Sequence, residues 1–296
     1  MSVRAASICS TTVGEVSLTW LPDGVHHVRP LAQYGGSTEE HFAIHPEVVD
    51  ENGFLVMSLG SLLVESGDEK MLVDLAFGPA HVDLGAVVGG GFEGDLVGGS
   101  LLVSLASVGL TPHDIDGVLY SHLHPDHVGW VCDDARGEAV FPNATHYVAQ
   151  SEWDYWFEGP GGEVPLAPSE VKRSVMGERL ELVDDGHMPV AGVQFMSTPG
   201  HTPGHCSFVV SSGDQRAVIL GDAIHCPVEI SALELDFVFD VDVDLARRTK
   251  ERIIRELEAP DTIAAGGHFP DLIFGRLVQA DGTKRLTFDP AQVATP

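Results

Sequence analysis

The chain has 296 residues, 44% of them hydrophobic, and carries 16 Lys+Arg against 44 Asp+Glu for a formal net charge of −28. This describes a globular protein long enough to bury a large core, and it excludes a disordered chain. The acidic balance argues against nucleic acid and anionic membranes as partners, because both require basic patches.

The N-terminal part reads as extended structure. "VSLTW" alternates Val16, Leu18 and Trp20, and "FLVMSLGSLLVES" and "EKMLVDL" read as β-rich runs around the turn "SGDE". The Gly-rich stretch "GAVVGGGFEGDLVGGS" (85–100) reads as a loop long enough to serve as a lid. Its GGGFEG matches GxGxxG only formally, since no clean strand precedes it and no helix follows directly. Ser100 is placed to cap a helix through "LLVSLASVGL", and "GVLYSH" is a short buried strand. "THYVAQ" follows as a strand and "SEWDYW" as a short helix capped by Ser151. "VQFMSTPGH", "SFVVSS", "RAVILGDA" and "TIAAGGHF" read as further strands. "DLARRTKERIIRELEA" is the clearest helix, with Leu245, Ile253 and Leu257 on its apolar face.

No linker divides the chain, so one domain over 1–296 is expected, built of two βα halves of about 1–150 and 151–296. No run reaches the roughly 18 apolar residues that span a bilayer. The N-terminus lacks the apolar core of a secretion signal. Cys9, Cys132, Cys206 and Cys226 form no CxxC pair, and a cytoplasmic location is expected. Cys206 and Cys226 read as small buried side chains.

The densest chemistry is "YSHLHPDHVGW" (120–130), with His122, His124, Asp126 and His127 in six residues. Residues i and i+2 of an extended segment point the same way, so His122 and His124 suit one metal. Asp126 and His127, beyond the Pro125 bend, face a neighbouring position. Further donors stand at predicted strand ends beside glycine: His201 and His205 in "PGHTPGH", Asp222 and His225 in "LGDAIH", and His268 in "AGGHFP".

In order and spacing these motifs resemble the metallo-β-lactamase fold superfamily, nearest to its lactonase and methyl-parathion-hydrolase-like branch. The resemblance runs from about Val16 to His268 and implies a four-layer αββα sandwich. It also implies two divalent metal ions, zinc first, with manganese, cobalt and iron also compatible with the donors. One ion would sit on His122, His124 and His201 and the other on Asp126, His127 and His268, with Asp222 bridging. The pair would clamp a hydroxide that attacks the scissile carbonyl, and Asp126 would orient it and protonate the leaving group. Asp74 matches the family's acidic residue in a D-T-G turn, although Leu75 and Ala76 replace the Thr and Gly. Asp74 and His205 are expected to support the ligands.

His225 stands where the lactone-hydrolysing branch often has a substrate-contacting tyrosine, and histidine there resembles esterase, lactonase and organophosphate-hydrolase relatives. It is expected to act in catalysis and substrate binding. Trp130, Trp153, Trp156, Phe77 and Phe269 are candidates for an apolar pocket, with Trp130 and Phe269 preferred as substrate contacts. The expected function is hydrolysis of a small neutral carboxylic ester or lactone, with a homodimer as the default assembly. The alternatives on the same site are a phosphotriester and a β-lactam. From another class, a non-haem iron dioxygenase that oxidises sulfur compounds would use one iron.

Overall fold

The computed structural model describes residues 3–89, 92–164, 166–280 and 282–288. Side-chain parity along the strands dictates the layers. In Leu55–Ser66, Leu62 and Val64 enter one core cluster with Trp20, Val73, Phe195 and Phe208. Leu63 enters another, with Leu72, Val118, Leu101 and Leu105. A strand apolar on both faces must be covered on both.

The first sheet runs in the order Leu180–Val183, Thr145–Ala149, Gly117–Leu119, Glu69–Val73, Leu55–Ser66, Val16–Val28, Gly94–Val97 and His81–Asp83, with Cys9–Val13 also paired to Val16–Val28. Helix Leu101–Ser107 lies on the crossover between the parallel strands Glu69–Val73 and Gly117–Leu119, and helices Gln150–Phe157 and Glu170–Gly177 lie between Thr145–Ala149 and Leu180–Val183. The parallel pair Gly117–Leu119 and Thr145–Ala149 is joined by the ligand loop itself. The second sheet runs Val193–Ser197, Cys206–Ser212, Gln215–Ile219, Thr262–Ala265, Phe274–Ala280 and Thr283–Phe288. Helix Val243–Leu257 makes its parallel crossover and packs Ile253, Ile254 and Leu257 into the core. The result is the expected αββα sandwich, with the two sheets face to face.

Five strands deliver the site. Glu69–Val73, Gly117–Leu119, Val193–Ser197, Gln215–Ile219 and Thr262–Ala265 end just before Asp74, the His122 loop, the His201 loop, Asp222 and the His268 loop. All five tips converge on one edge of the sandwich.

Several local expectations are corrected. Helix Gln150–Phe157 starts directly from a strand, with Ala149 at the N-cap; Ser151 lies inside the first turn and caps nothing. Ser100 does occupy an N-cap, but the carboxylate of Asp23 accepts the Leu101 and Gly99 N–H groups instead. Leu245 is only half-buried, and the inward face of its helix also carries Ala246, Thr249 and Lys250. Part of the 85–100 stretch is sheet: Gly94–Val97 pairs with both Val25–Val28 and His81–Asp83. Gly90 and Gly91, in the GGGFEG motif, lie outside the described residues. Finally, Leu180–Val183 pairs with Thr145–Ala149, so the chain changes sheets after Val183 and not near residue 150.

Candidate metal centre

The predicted ligands meet in two sets. His122 Nε2 and His201 Nε2 each lie 2.9 Å from His124 Nδ1. A proton can join only one pair of these nitrogens, so three converging lone pairs call for a cation. On the other side, His127 Nε2 and His268 Nε2 lie 3.8 and 3.7 Å from the Asp126 carboxylate. Asp222 stands between the sets. Its Oδ2 is 3.8 Å from His122 Nε2 and 3.5 Å from His201 Nε2, while its Oδ1 is 3.3 Å from His127 Nε2 and 3.1 Å from His268 Nε2. The structure thus brings together all seven residues named from the sequence.

Two further observations fit bound cations. His127 Nε2 and Asp222 Oδ1 are buried with no hydrogen-bond partner, an expensive state unless something else satisfies them. The nitrogen, oxygen and imidazole donors also match divalent metal ions. Burial pushes His124 and His201 down to about 3, and His122 well down too, which keeps their lone pairs free. Burial works against protonation of His127 and His268 as well, yet Asp222 and the other carboxylates push both up. This side of the site is therefore built around positive charge. Burial would raise the Asp222 carboxyl, but His127, His268, His225 and His122 hold it well below the usual carboxylate range.

The imidazoles are aimed by hydrogen bonds through their other nitrogens, which fix tautomer and orientation. Asp74 accepts the Ser121 N–H on Oδ1 and both the Ser121 hydroxyl and His127 Nδ1 (2.9 Å) on Oδ2. Its turn keeps a left-handed backbone despite the Thr and Gly replacements: φ is 60° at Asp74 and 46° at Ala76. Bonds from Leu75 N–H to the His127 carbonyl and from Gly129 N–H to the Ala76 carbonyl, each 2.7 Å, hold that turn against the strain. His205 is fully buried; its Nε2 accepts the Asp222 N–H at 2.9 Å and its Nδ1 meets Thr198. It therefore positions the bridging residue. His201 Nδ1 donates to Asp240 and His268 Nδ1 to the Ser58 carbonyl. Asp240 and Ser58 were not found from the sequence, since neither sits in a motif and each lies far along the chain from its histidine.

His225 lies at the edge of the centre. Its Nε2 is 3.3 Å from Asp222 Oδ2, its ring stacks on Phe237 at 3.4 Å, and it shares ligand range with His201 and Asp222. Burial opposes its protonation, but Asp222 and then Glu229 raise it to about 9. Glu229 anchors this loop: its Oε1 accepts the His225 and Cys226 N–H groups and the Tyr34 hydroxyl, and its Oε2 accepts Lys250 Nζ at 2.8 Å. Helical periodicity marks Lys250 as merely basic; only the packed structure shows it buried beside a carboxylate.

Trp130 is half-buried and donates its indole N–H to Asp23 at 2.9 Å. With Phe77, Leu102, Pro125 and Val128 it lines a cavity of about 830 Å³ that begins at the bend between His124 and Asp126. Phe269 does not join it. Next to His268 it points the opposite way, into the core between the sheets, where it is fully buried with its ring beside Gly266 and Phe288. Trp153 and Trp156 are core residues as well. Cys206 and Cys226 are buried free thiols.

The comparisons with known proteins agree with this geometry. Residues 61–268 match the family model of the metallo-beta-lactamase superfamily. The chain is 30% identical over 176 residues to the N-acyl homoserine lactonase AttM of Agrobacterium fabrum, covering 56% of this chain but only 63% of AttM. It is 28% identical over 209 residues to the N-acyl homoserine lactonase AiiA of Bacillus thuringiensis subsp. kurstaki, covering 66% of this chain and 76% of AiiA. Among solved structures, AidC, a dizinc quorum-quenching lactonase, superposes with a TM-score of 0.80 at 24% identity over 96% of this chain and 98% of its own. The hydrolase AbOPH of the beta lactamase superfamily gives 0.76 at 25% identity, over 95% of this chain and 97% of its own. With the fold, the converging ligand loops and a family match over more than half its length, the chain belongs to the metallo-beta-lactamase superfamily.

Proposed function

We propose that the protein is a dinuclear metal-dependent hydrolase that opens lactones or cleaves similarly small, neutral carboxylic esters. The observation that carries this reading is the Asp222 carboxylate, which offers one oxygen to the His122–His124–His201 set and the other to the Asp126–His127–His268 set. Zinc is the preferred occupant of both positions. Divalent cations held there would acidify a water molecule and polarise an ester carbonyl.

The chain's own residues divide the remaining work. Asp222, fixed through its N–H by His205, keeps the two sets at a constant separation. Asp126 has the most exposed side chain of the four acidic residues at the centre, 20% against 5% for Asp222, 9% for Asp74 and 3% for Asp240. It can therefore reach a bound ester, accept the proton that the attacking water gives up and pass it on to the leaving oxygen. His225 presents Nε2 beside Asp222 with its ring held flat on Phe237, suited to donating a hydrogen bond to a substrate carbonyl. Trp130, Phe77 and Leu102 line a cavity that adjoins the ligand loop at Pro125, and its charged residues are Asp133, Asp134 and Lys172, a lining that offers little grip for an anionic substrate. N-acyl homoserine lactones, the substrates named for AttM and AiiA, fit that description.

The test is a panel of lactones, aryl esters and phosphotriesters assayed with metal-reconstituted protein and ranked by kcat/KM. Lactones should lead, and His124→Ala and Asp222→Ala should abolish turnover in folded protein. Turnover retained by either variant, or a phosphotriester at the head of the ranking, would overturn the assignment.

A further inference from the structure

Glu152 is 1% exposed, and among the described residues no Lys, Arg or His pairs with its carboxylate. It is satisfied by four donors instead. Oε1 accepts the Leu123 N–H at 3.0 Å and the Trp156 indole N–H at 2.6 Å, and Oε2 accepts the Thr202 hydroxyl at 2.6 Å and the Gly204 N–H at 3.1 Å. Leu123 lies between His122 and His124. Thr202 and Gly204 lie between His201 and His205. One carboxylate therefore ties the two loops that carry the first ligand set, loops separated by more than seventy residues of chain. Trp156, oriented by the same oxygen, lays its ring edge-on to His124 at 5.3 Å. The approach is close enough to require glycine: a Cβ on Gly204 would sit 2.1 Å from the Glu152 backbone nitrogen.

We propose that Glu152 is a positioning residue for the His122–His124–His201 set, holding its two loops in register so that this position binds its cation more tightly than it otherwise would. Burying an ionised carboxylate is costly unless its lone pairs are filled, and here every donor that fills them belongs to a ligand loop or to the aromatic ring packed on His124. The His127 side has its own support in Asp74, so the effect is confined to one of the two positions. This inference rests on the dinuclear reading but not on the identity of the substrate.

The experiment titrates metal-free protein with Zn²⁺ and with Co²⁺, following stoichiometry and visible absorption, for wild type, Glu152→Gln and Thr202→Val. A glutamine amide fills the same space but turns an NH₂ toward two of the four donors. Thr202→Val removes one hydrogen bond and leaves the carboxylate in place. The expected result for Glu152→Gln is a loss of about 10–100-fold in affinity at one position, with the other unchanged. Thr202→Val should show a smaller loss at the same position. Unchanged constants in Glu152→Gln, or an equal loss at both positions, would overturn the inference. If Glu152→Gln does not fold, Thr202→Val decides by the same criterion. Wild type that takes up only one equivalent would instead overturn the dinuclear reading, and the effect of each variant on that single constant would still decide the role of Glu152.

Discussion

Lys250→Met probes the support beneath His225. Lys250 Nζ and Glu229 Oε2 lie 2.8 Å apart with 2% and 0% side-chain exposure, and Lys250 also donates to the Leu235 carbonyl. Burial pushes the Glu229 carboxyl up, but Lys250 and His225 hold it well below the usual carboxylate range, so the variant strands a negative charge away from water. Removing one partner of such a pair costs about 3–5 kcal/mol. An unfolding entropy of about 2.1 cal/mol/K per residue gives roughly 0.6 kcal/mol/K for this chain, hence a fall in Tm of about 5–8 °C. Adding Glu229→Gln removes the stranded charge while its amide oxygen still accepts the N–H groups of His225 and Cys226. The double variant should therefore recover most of the loss. Thermal and urea unfolding of the metal-free protein measure both effects. A single variant within about 1 kcal/mol of wild type, or a double variant less stable than the single one, would refute the reasoning.

Two other outcomes follow from buried aromatic rings. Burial pushes His146, whose Nδ1 meets the Tyr120 hydroxyl at 2.8 Å, down to about 4. Its folded pKa lies below the unfolded value of 6.5, so its contribution is fully present above pH 6.5 and is lost as pH falls toward 4. This amounts to roughly 3 kcal/mol, and His146→Gln should flatten the acid limb of urea-measured stability by about that much; an unaltered limb would contradict it. Phe269→Ala should cost about 3–5 kcal/mol of stability by opening a core cavity while leaving KM for lactones unchanged. A raised KM with an unshifted Tm would return Phe269 to the substrate pocket.

The ligand set was legible in the sequence for a local reason. His122, His124, Asp126 and His127 share one turn, and each remaining donor follows a strand whose apolar residues announce it. His205 stood out in the same motif as His201, whereas Asp74 was reached only through the family resemblance. The local logic failed for Phe269, because proximity to a ligand in sequence says nothing about which side of the chain a residue occupies. It also failed for Ser151, where a strand runs into a helix without a capping residue, and for 94–97, where glycines disguise an edge strand paired on both sides.

Residue type and short-range spacing determined a mixed α/β chain, the candidate donors and the separation of His122 and His124 from Asp126 and His127. The αββα sandwich and the full division of the donors into two sets were implied by the family resemblance that the motif order carries. The tertiary structure decided what aims them. Asp240 on His201, the Ser58 carbonyl on His268, Glu152 between two loops and Lys250 on Glu229 are contacts between residues 21 to 210 positions apart. Such pairings leave no local periodicity to read; they exist only once the two sheets have packed and brought their strand tips to a common edge.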